Sequence, residues 1–423
     1  MSGTLPANSQ LSADVAVLES PIAPVTTGER DVTSVGARTR LDAVDLLRGL
    51  VMVIMALDHT RDFFHSGALL FDPTDLTKTT PALFLTRWIT HFCAPVFVFL
   101  AGTGAFLSLS RGKTKPQLSW FLLTRGVWLI FLELTVVRFG WFFELNLADF
   151  IFVQVIWALG WSMLALAALI YLPLWALAAF GVTMIAGHNL LDRVGPESFG
   201  ALGWLWRVLH VQGPIEHRSG FMFLVQYPLI PWIGVMAAGY GFGRLLLFEQ
   251  VRRRKILLRL GLGLTAIFVV LRLTNFYGDP QPWAVQQTPL DTLLSFLNCQ
   301  KYPPSLLFLL MTLGPAIALL PLLERWTGPL ARFFVTFGRV PLFYYLLHIP
   351  LLHLLAIIFA YGRYGNQVFE LAANNQPPPG YGYGLVVVYL VWIGAVVLLL
   401  YPASRWFAGV KERHRRSTWL SYL

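Results

Sequence analysis

Apolar residues run in long, almost uninterrupted blocks, and polar residues gather at the block ends. A helix rising 1.5 Å per residue needs roughly 20 apolar residues to cross a bilayer core of about 30 Å. Blocks near 42–62, 84–109, 118–138, 221–246, 256–273, 303–323, 332–358 and 383–402 each predict one such helix. The block at 150–191 is about twice that length, and Pro173 divides it into two spans with almost no loop. The pattern therefore predicts an all-α polytopic membrane bundle of about ten transmembrane helices. A polar stretch at 188–219 holds His188, His210, His217 and Arg218, and its GALGWLWRVLH segment predicts a short interfacial helix.

The polar positions add a direction. Basic residues collect before the first span (Arg30, Arg38, Arg40), at 111–115, 244–259 and 324–332, and in the closing KERHRR stretch. In a ten-span count all of these fall on one side, so both termini are expected in the cytoplasm. Residues 1–38, rich in Ser, Thr, Ala, Pro and Gly, predict a disordered tail without an apolar signal segment. A membrane domain at 39–405 and a basic C-terminal tail at 406–423 follow.

Composition agrees. The 423 residues are 56% hydrophobic and only 13% charged, against roughly 25% charged in soluble domains. The net charge of +10 is accounted for by the basic loops and calls for no nucleic acid. The cysteines, Cys93 and Cys299, form no metal motif, and Cys93 reads as a small buried hydrophobe. No zinc-type histidine pair with a third ligand stands out, so no metal is expected. Phosphate-loop and dinucleotide motifs are absent from the sequence.

Candidate chemistry concentrates on the first apolar helix, LDAVDLLRGLVMVIMALDHTRDFFH at 41–65. Arg48 and His59 lie 11 residues apart, which puts them within about 20° of one face and roughly 16 Å apart in rise. Asp45 and Arg48 stand at one end, and Asp58, His59, Arg61, Asp62 and His65 at the other. At the latter depth the topology also places Arg87, His91, Gln154, Gln226, Tyr227, Asn298, Lys301 and His348. Polar groups from several helices at one depth predict a hydrated cavity. An imidazole beside a carboxylate can deprotonate a hydroxyl or amine, or accept an acyl group. The plainer alternatives stay open: His59 as an interfacial histidine paired with Asp62, Asp45–Arg48 as a structural ion pair, and Arg87 and His91 as interfacial anchors. Glu133, inside the third span, is expected to pair with Arg125 or Arg138. His348 and His353, five residues apart on a helix, point away from each other by about 140°.

The stretch RLDAVDLLRGLVMVIMALDH (40–59) resembles the opening of the catalytic domain of heparan-α-glucosaminide N-acetyltransferases and their bacterial relatives. APVFVFLAGTGAFLS (94–108), the Gln154 region, PWIGVMAAGYGFGR (231–244) and GRVPLFYYLLHIPLLH (338–353) extend the resemblance over most of 40–405. The wider superfamily of membrane sugar O-acyltransferases also has an Arg-Gly start with a His 11 residues after the Arg, here His59. In the lysosomal N-acetyltransferases the proposed active-site His falls slightly later, and His65 is its nearest match.

The resemblance implies an integral-membrane, acetyl-CoA-dependent acyltransferase that passes an acetyl group from the cytoplasm to a sugar at the other face. His59 is then the expected base or acyl carrier, oriented by Asp58 or Asp62, with His65 and His348 in reserve. Arg48 with Asp45, Arg125, Arg244 and Arg339 would meet the acyl-CoA phosphates. The large domain that precedes the spans in the lysosomal enzyme is not expected here. The basic loops and compact form point to a bacterial inner membrane, with a cell-envelope glycan or lipid-linked sugar as acceptor; homo-oligomerisation is left open. The alternative is a transporter of a small polar solute, with Pro228, Pro231, Pro303 and Pro304 breaking helices at its site.

Overall fold

The computed structural model describes residues 28–68, 70–216, 220–372, 380–414 and 420. The expected N-terminal tail ahead of Gly28, and His217, Arg218, Arg415 and Arg416, lie outside the described residues. Helices dominate: α1 (Gly28–Phe64), α2 (Pro81–Thr90), α3 (Cys93–Leu109), α4 (Lys115–Leu132), α5 (Arg138–Phe142), α6 (Val155–Leu169), α7 (Leu174–Gly187), α8 (Gly203–Leu209) and α9 (Leu229–Phe242). Then come α10 (Gln250–Thr274), α11 (Pro289–Leu297), α12 (Leu306–Leu323), α13 (Pro329–Arg339), α14 (Pro341–Tyr364), α15 (Gln367–Ala372), α16 (Leu385–Gly394) and α17 (Tyr401–Arg413).

Eight helical stretches are long and apolar enough to cross a membrane, with α2–α3, α4–α5 and α16–α17 each forming one. Two further helices of the expected ten, α1 and α6, fall outside these eight. The first falls outside the eight because it carries Asp45, Arg48, Asp58, Arg61 and Asp62, and the second because it has 15 residues.

Local chemistry sets the boundaries. Thr80 and Thr114 cap α2 and α4 through their hydroxyls, each followed by a proline in the first turn, where no N–H is needed. The break between α2 and α3 at His91–Phe92 has a covalent cause. Pro95 has no N–H to give the His91 carbonyl, so the helical ladder is interrupted there. A π-helical turn at Glu133–Val137 joins α4 to α5 and swings Glu133 into the protein.

Several expected boundaries are corrected. Residues 150–153 are a strand rather than the start of a span, and so is the beginning of the 221–246 block. Strands β1 (Phe150–Val153), β2 (Gly213–Glu216) and β3 (Met222–Val225) form a sheet in the order β1-β3-β2. β1 and β3 run parallel with Val153 opposite Val225, and β2 and β3 run antiparallel. FIFV of β1 and MFLV of β3 are short apolar runs, too short for a helix but able to pair, and GPIE of β2 pairs along the edge of β3. The 332–358 block is two helices, α13 and α14, divided at Val340–Pro341. α8 is the expected short helix in the 188–219 stretch.

Residues Arg40–Leu423 form one compact unit. Its helices meet most closely at small residues. A Cβ on Gly102 of α3 would lie 2.0 Å from the Met236 carbonyl oxygen, and one on Gly239 of α9 would lie 2.1 Å from that of Phe99. Only glycine permits that backbone approach, the usual way membrane helices gain packing contacts without a hydrophobic driving force. The core around this crossing includes Met52, Val98, Leu100, Trp232 and Phe308, and it fixes the far ends of α1, α3 and α9 around a cavity.

Candidate active site

The cavity has a volume of about 620 Å³ and lies among the last turns of α1, the α2–α3 break, α5, β1, the starts of α6 and α9, the segment before α12, and α14. Asp58, His59 and Asp62 line it, as do Arg87, Gln154, Gln226, Tyr227 and Lys301. Residues that the sequence reading left out of this group also contribute: Trp141, Tyr302, Tyr345 and Thr90. Their positions depend on turns and loops that apolar patterning does not resolve.

An ion-pair chain runs along the end of α1. Arg87 of α2 and Arg61 both hold Asp58, the latter at 2.9 Å. Arg61 also donates to Asp62 at 2.6 Å. The other oxygen of Asp62 lies 3.4 Å from Nδ1 of His59. Asp62 therefore stands in the orienting position beside His59, while Asp58 is occupied by two guanidinium groups. The spacing explains this: residues 59 and 62 are three apart on one helix face, whereas adjacent residues point about 100° apart.

His59 is packed on its flanks. Trp141 meets it edge to face at 5.0 Å between ring centroids, and His348 lies at 5.2 Å. Nδ1 lies on the Asp62 side without a hydrogen bond of normal geometry, and Nε2 is the nitrogen left for a reactant. His348 is fully buried behind it, its Nδ1 against the Tyr344 and Tyr345 carbonyls at 3.1 and 2.7 Å. It is not among the lining residues, so it supports His59 from behind. His353 lines the cavity, gripped between Phe143 and Phe63 with Nδ1 on the Gly140 carbonyl.

His65 sits just beyond α1 and outside the cavity lining. Its Nδ1 accepts the Gly67 N–H at 3.0 Å, and its backbone bridges to Tyr383. Burial, reinforced by the Arg61 guanidinium, holds its imidazole below the usual histidine range. His91 turns its ring onto Phe308.

A second polar group lines the same cavity. Tyr302 and Tyr227 meet edge to face at 5.2 Å and share a hydrogen bond. Burial opposes ionisation of Tyr302, but the Lys301 and Arg87 cations and the Tyr227 hydrogen bond outweigh it, holding the phenol below its usual range. Burial and the neighbouring Tyr302 push Tyr227 the other way. Gln226, beside Tyr227, accepts from the Gln212 side chain at 2.9 Å.

At the other end of α1, Arg48 binds Asp45 and the Gly338 carbonyl, both at 3.0 Å. Arg339 reaches Asp42 at 3.3 Å. Arg111 acts on Asp45, and Lys411 of α17 lies within electrostatic reach of Arg48 and Arg125. These cations outnumber Asp42 and Asp45 beside them. Arg244 is exposed at the end of α9. The ion pair expected for Glu133 does not form. Its carboxylate instead accepts the backbone N–H groups of Gln154 and Trp157 at 2.9 and 3.2 Å, closing the N-terminus of α6. That terminus has orphan donors and a positive dipole end, which suit a carboxylate better than a distant arginine does. Arg138 meanwhile binds the Phe150 and Asn146 carbonyls.

The catalytic family of heparan-alpha-glucosaminide N-acetyltransferase matches residues 40–271, more than half of the chain. The chain belongs to this family. It is accordingly a membrane acetyltransferase in general type. The matched region covers α1 to α10 nearly to its end, and so includes the Arg87–Asp58–Arg61–Asp62–His59 chain, His65, Gln154 and Gln226. In this acetyltransferase, Lys301, Tyr302 and His348 lie beyond the matched region. No curated protein matches the chain.

Proposed function

We propose that the protein transfers an acetyl group from cytoplasmic acetyl-CoA to a glycan or lipid-linked sugar at the opposite membrane face, with His59 as the base. One observation carries this reading. A single helix, α1, joins a cation-rich pole at Arg48 to a polar cavity at His59, about 16 Å away in rise. The cations Arg48, Arg111, Arg125, Arg339 and Lys411 suit the phosphates and nucleotide of a CoA, which stay at the aqueous edge. The extended pantetheine arm would carry the thioester inward. The cavity, with aromatic walls and a few polar groups, is of the size that holds a small acceptor.

In the transfer, the acceptor's amine or hydroxyl gives its proton to Nε2 of His59 as its lone pair attacks the acetyl carbonyl. The carbon–sulfur bond then breaks and CoA leaves as the thiolate. Asp62 stabilises the imidazolium through Nδ1. Tyr302, polarised by Lys301 and Arg87, is a donor suited to the charge that develops on the carbonyl oxygen. An acyl-imidazole at His59 is the two-step variant of the same chemistry. Purified protein in detergent, given acetyl-CoA labelled in the acetyl group, should release CoA in the presence of amino-sugar or sugar acceptors. Label retained on the wild-type protein but not on His59→Ala would select the two-step route. Full CoA release by His59→Ala would overturn the assignment.

A further inference from the structure

A cluster outside the cavity carries different chemistry. His188 and Asp192 flank the 3₁₀ turn that ends α7, and His210 ends α8. One ligand atom from each lies within 4.8 Å of the others. His210 Nε2 stands 3.5 Å from an Asp192 oxygen, and the two imidazoles meet at 5.7 Å between centroids. Both histidines are buried, at 2% and 1% exposure. Neither nitrogen of His188, nor Nδ1 of His210, has a hydrogen-bond partner of normal geometry. Unpartnered nitrogens in two adjoining buried imidazoles are costly unless something coordinates them.

We infer that His188, Asp192 and His210 form a binding site for a divalent transition metal of the zinc class. Two imidazoles and a carboxylate are a zinc-type donor set, and nitrogen donors disfavour magnesium or calcium. Ligands of a tetrahedral zinc at about 2.0–2.1 Å stand roughly 3.4 Å apart, close to the His210–Asp192 separation. The widest pair needs to close by roughly 1.4 Å, within the reach of side-chain rotation. The surroundings are also those of a metal site. Asn189 donates to the other Asp192 oxygen at 2.8 Å and fixes the carboxylate. The Pro304 carbonyl lies beside the His188 ring, where it can take the N–H of the nitrogen that does not bind metal.

The spacing hides this site from sequence reading. His188 and Asp192 are one turn apart, but His210 arrives 18 residues later through α8. The metal would tie the end of α7 to the end of α8. Two residues beyond His210, Gln212 holds the cavity residue Gln226. The role assigned is structural, and it does not depend on the acetyltransferase reading.

The test uses full-length protein in detergent, purified on a tag without histidines, stripped with a chelator and dialysed against zinc chloride. Elemental analysis should find about one zinc per chain, with a raised unfolding temperature on reloading. His210→Ala and His188→Ala should lose the zinc, and Asn189→Ala should bind it roughly 10–100-fold more weakly. Cobalt(II) loaded in place of zinc should give the visible bands of a low-coordinate site in the wild type and lose them in the histidine variants. Wild-type protein that retains neither zinc nor cobalt, or variants that retain both fully, would overturn the inference. If the variants do not fold, the stripped wild type decides alone: no metal uptake and no change in unfolding temperature on reloading refutes the site.

Discussion

An oxygen of Asp62 lies 3.4 Å from Nδ1 of His59, one helical turn back along α1, and Arg61 holds the other Asp62 oxygen at 2.6 Å. The carboxylate is thereby fixed by Arg61 and stands beside an imidazole nitrogen that has no other partner. If the pair works as base and orienter, Asp62→Asn should lower kcat about 10²–10⁴-fold with KM nearly unchanged. His59→Ala should fall to background. Steady-state CoA release at saturating acetyl-CoA measures both.

His65 gives the contrasting result. Its imidazole, held low by burial and by Arg61, accepts a backbone N–H and prefers to stay neutral. Between its folded pKa and the ordinary value of 6.5, the unfolded chain binds more protons, so stability rises with pH through that window and levels above it. Thermal unfolding of His65→Gln across mildly acidic pH should show a flatter slope than the wild type. CoA release should be nearly unchanged, and a loss matching that of His59→Ala would instead make His65 the base.

Glu133 is expected to matter for stability first. Glu133→Leu removes the acceptor for two buried N–H groups at the start of α6, a cost of about 1–3 kcal/mol. Glu133→Gln keeps one acceptor oxygen and should lose less. Unfolding temperatures in detergent rank the variants; equal loss in both would point to the charge rather than the cap.

The pole proposed for the donor can be probed through the backbone as well as through Arg48. A Cβ on Gly49 would fall 1.9 Å from the Phe334 carbonyl oxygen, and one on Gly338 would fall 1.8 Å from that of Asp45. Gly49→Ala should push α13 away from α1 at a cost of about 1–3 kcal/mol. It should also strain the Arg48–Gly338 contact, raising KM for acetyl-CoA more than it lowers kcat. Arg48→Ala should raise the same KM with smaller structural loss. An unchanged KM in both variants would remove this pole from the donor site.

Much of this architecture is legible in the chain. Apolar blocks of bilayer length give the helices, because a backbone in lipid has few other ways to satisfy its polar groups. The i,i+3 spacing gives the His59–Asp62 and Asp45–Arg48 pairs. What patterning misses depends on tertiary closure. Trp141 reaches His59 only because the π-helical turn at Glu133–Val137 rotates α5. Tyr302 reaches the site from a loop, and FIFV at 150–153 looks like helix until a partner strand is known. Glu133 departs from the expected ion pair for a related reason: sequence shows the nearby arginines but not the helix end that competes for the carboxylate.

The parallel pairing of β1 with β3 has a mechanical consequence. Val153 and Val225 face each other in register, the Gln226 N–H bonds the Val153 carbonyl at 3.1 Å, and Gln154 and Gln226 follow as neighbours. Two cavity residues are thus locked to one hydrogen-bond ladder rather than to two independent helices. That wall of the cavity is therefore held by main-chain hydrogen bonds between residues about 70 positions apart in the chain, and a change on either strand reaches both glutamines at once.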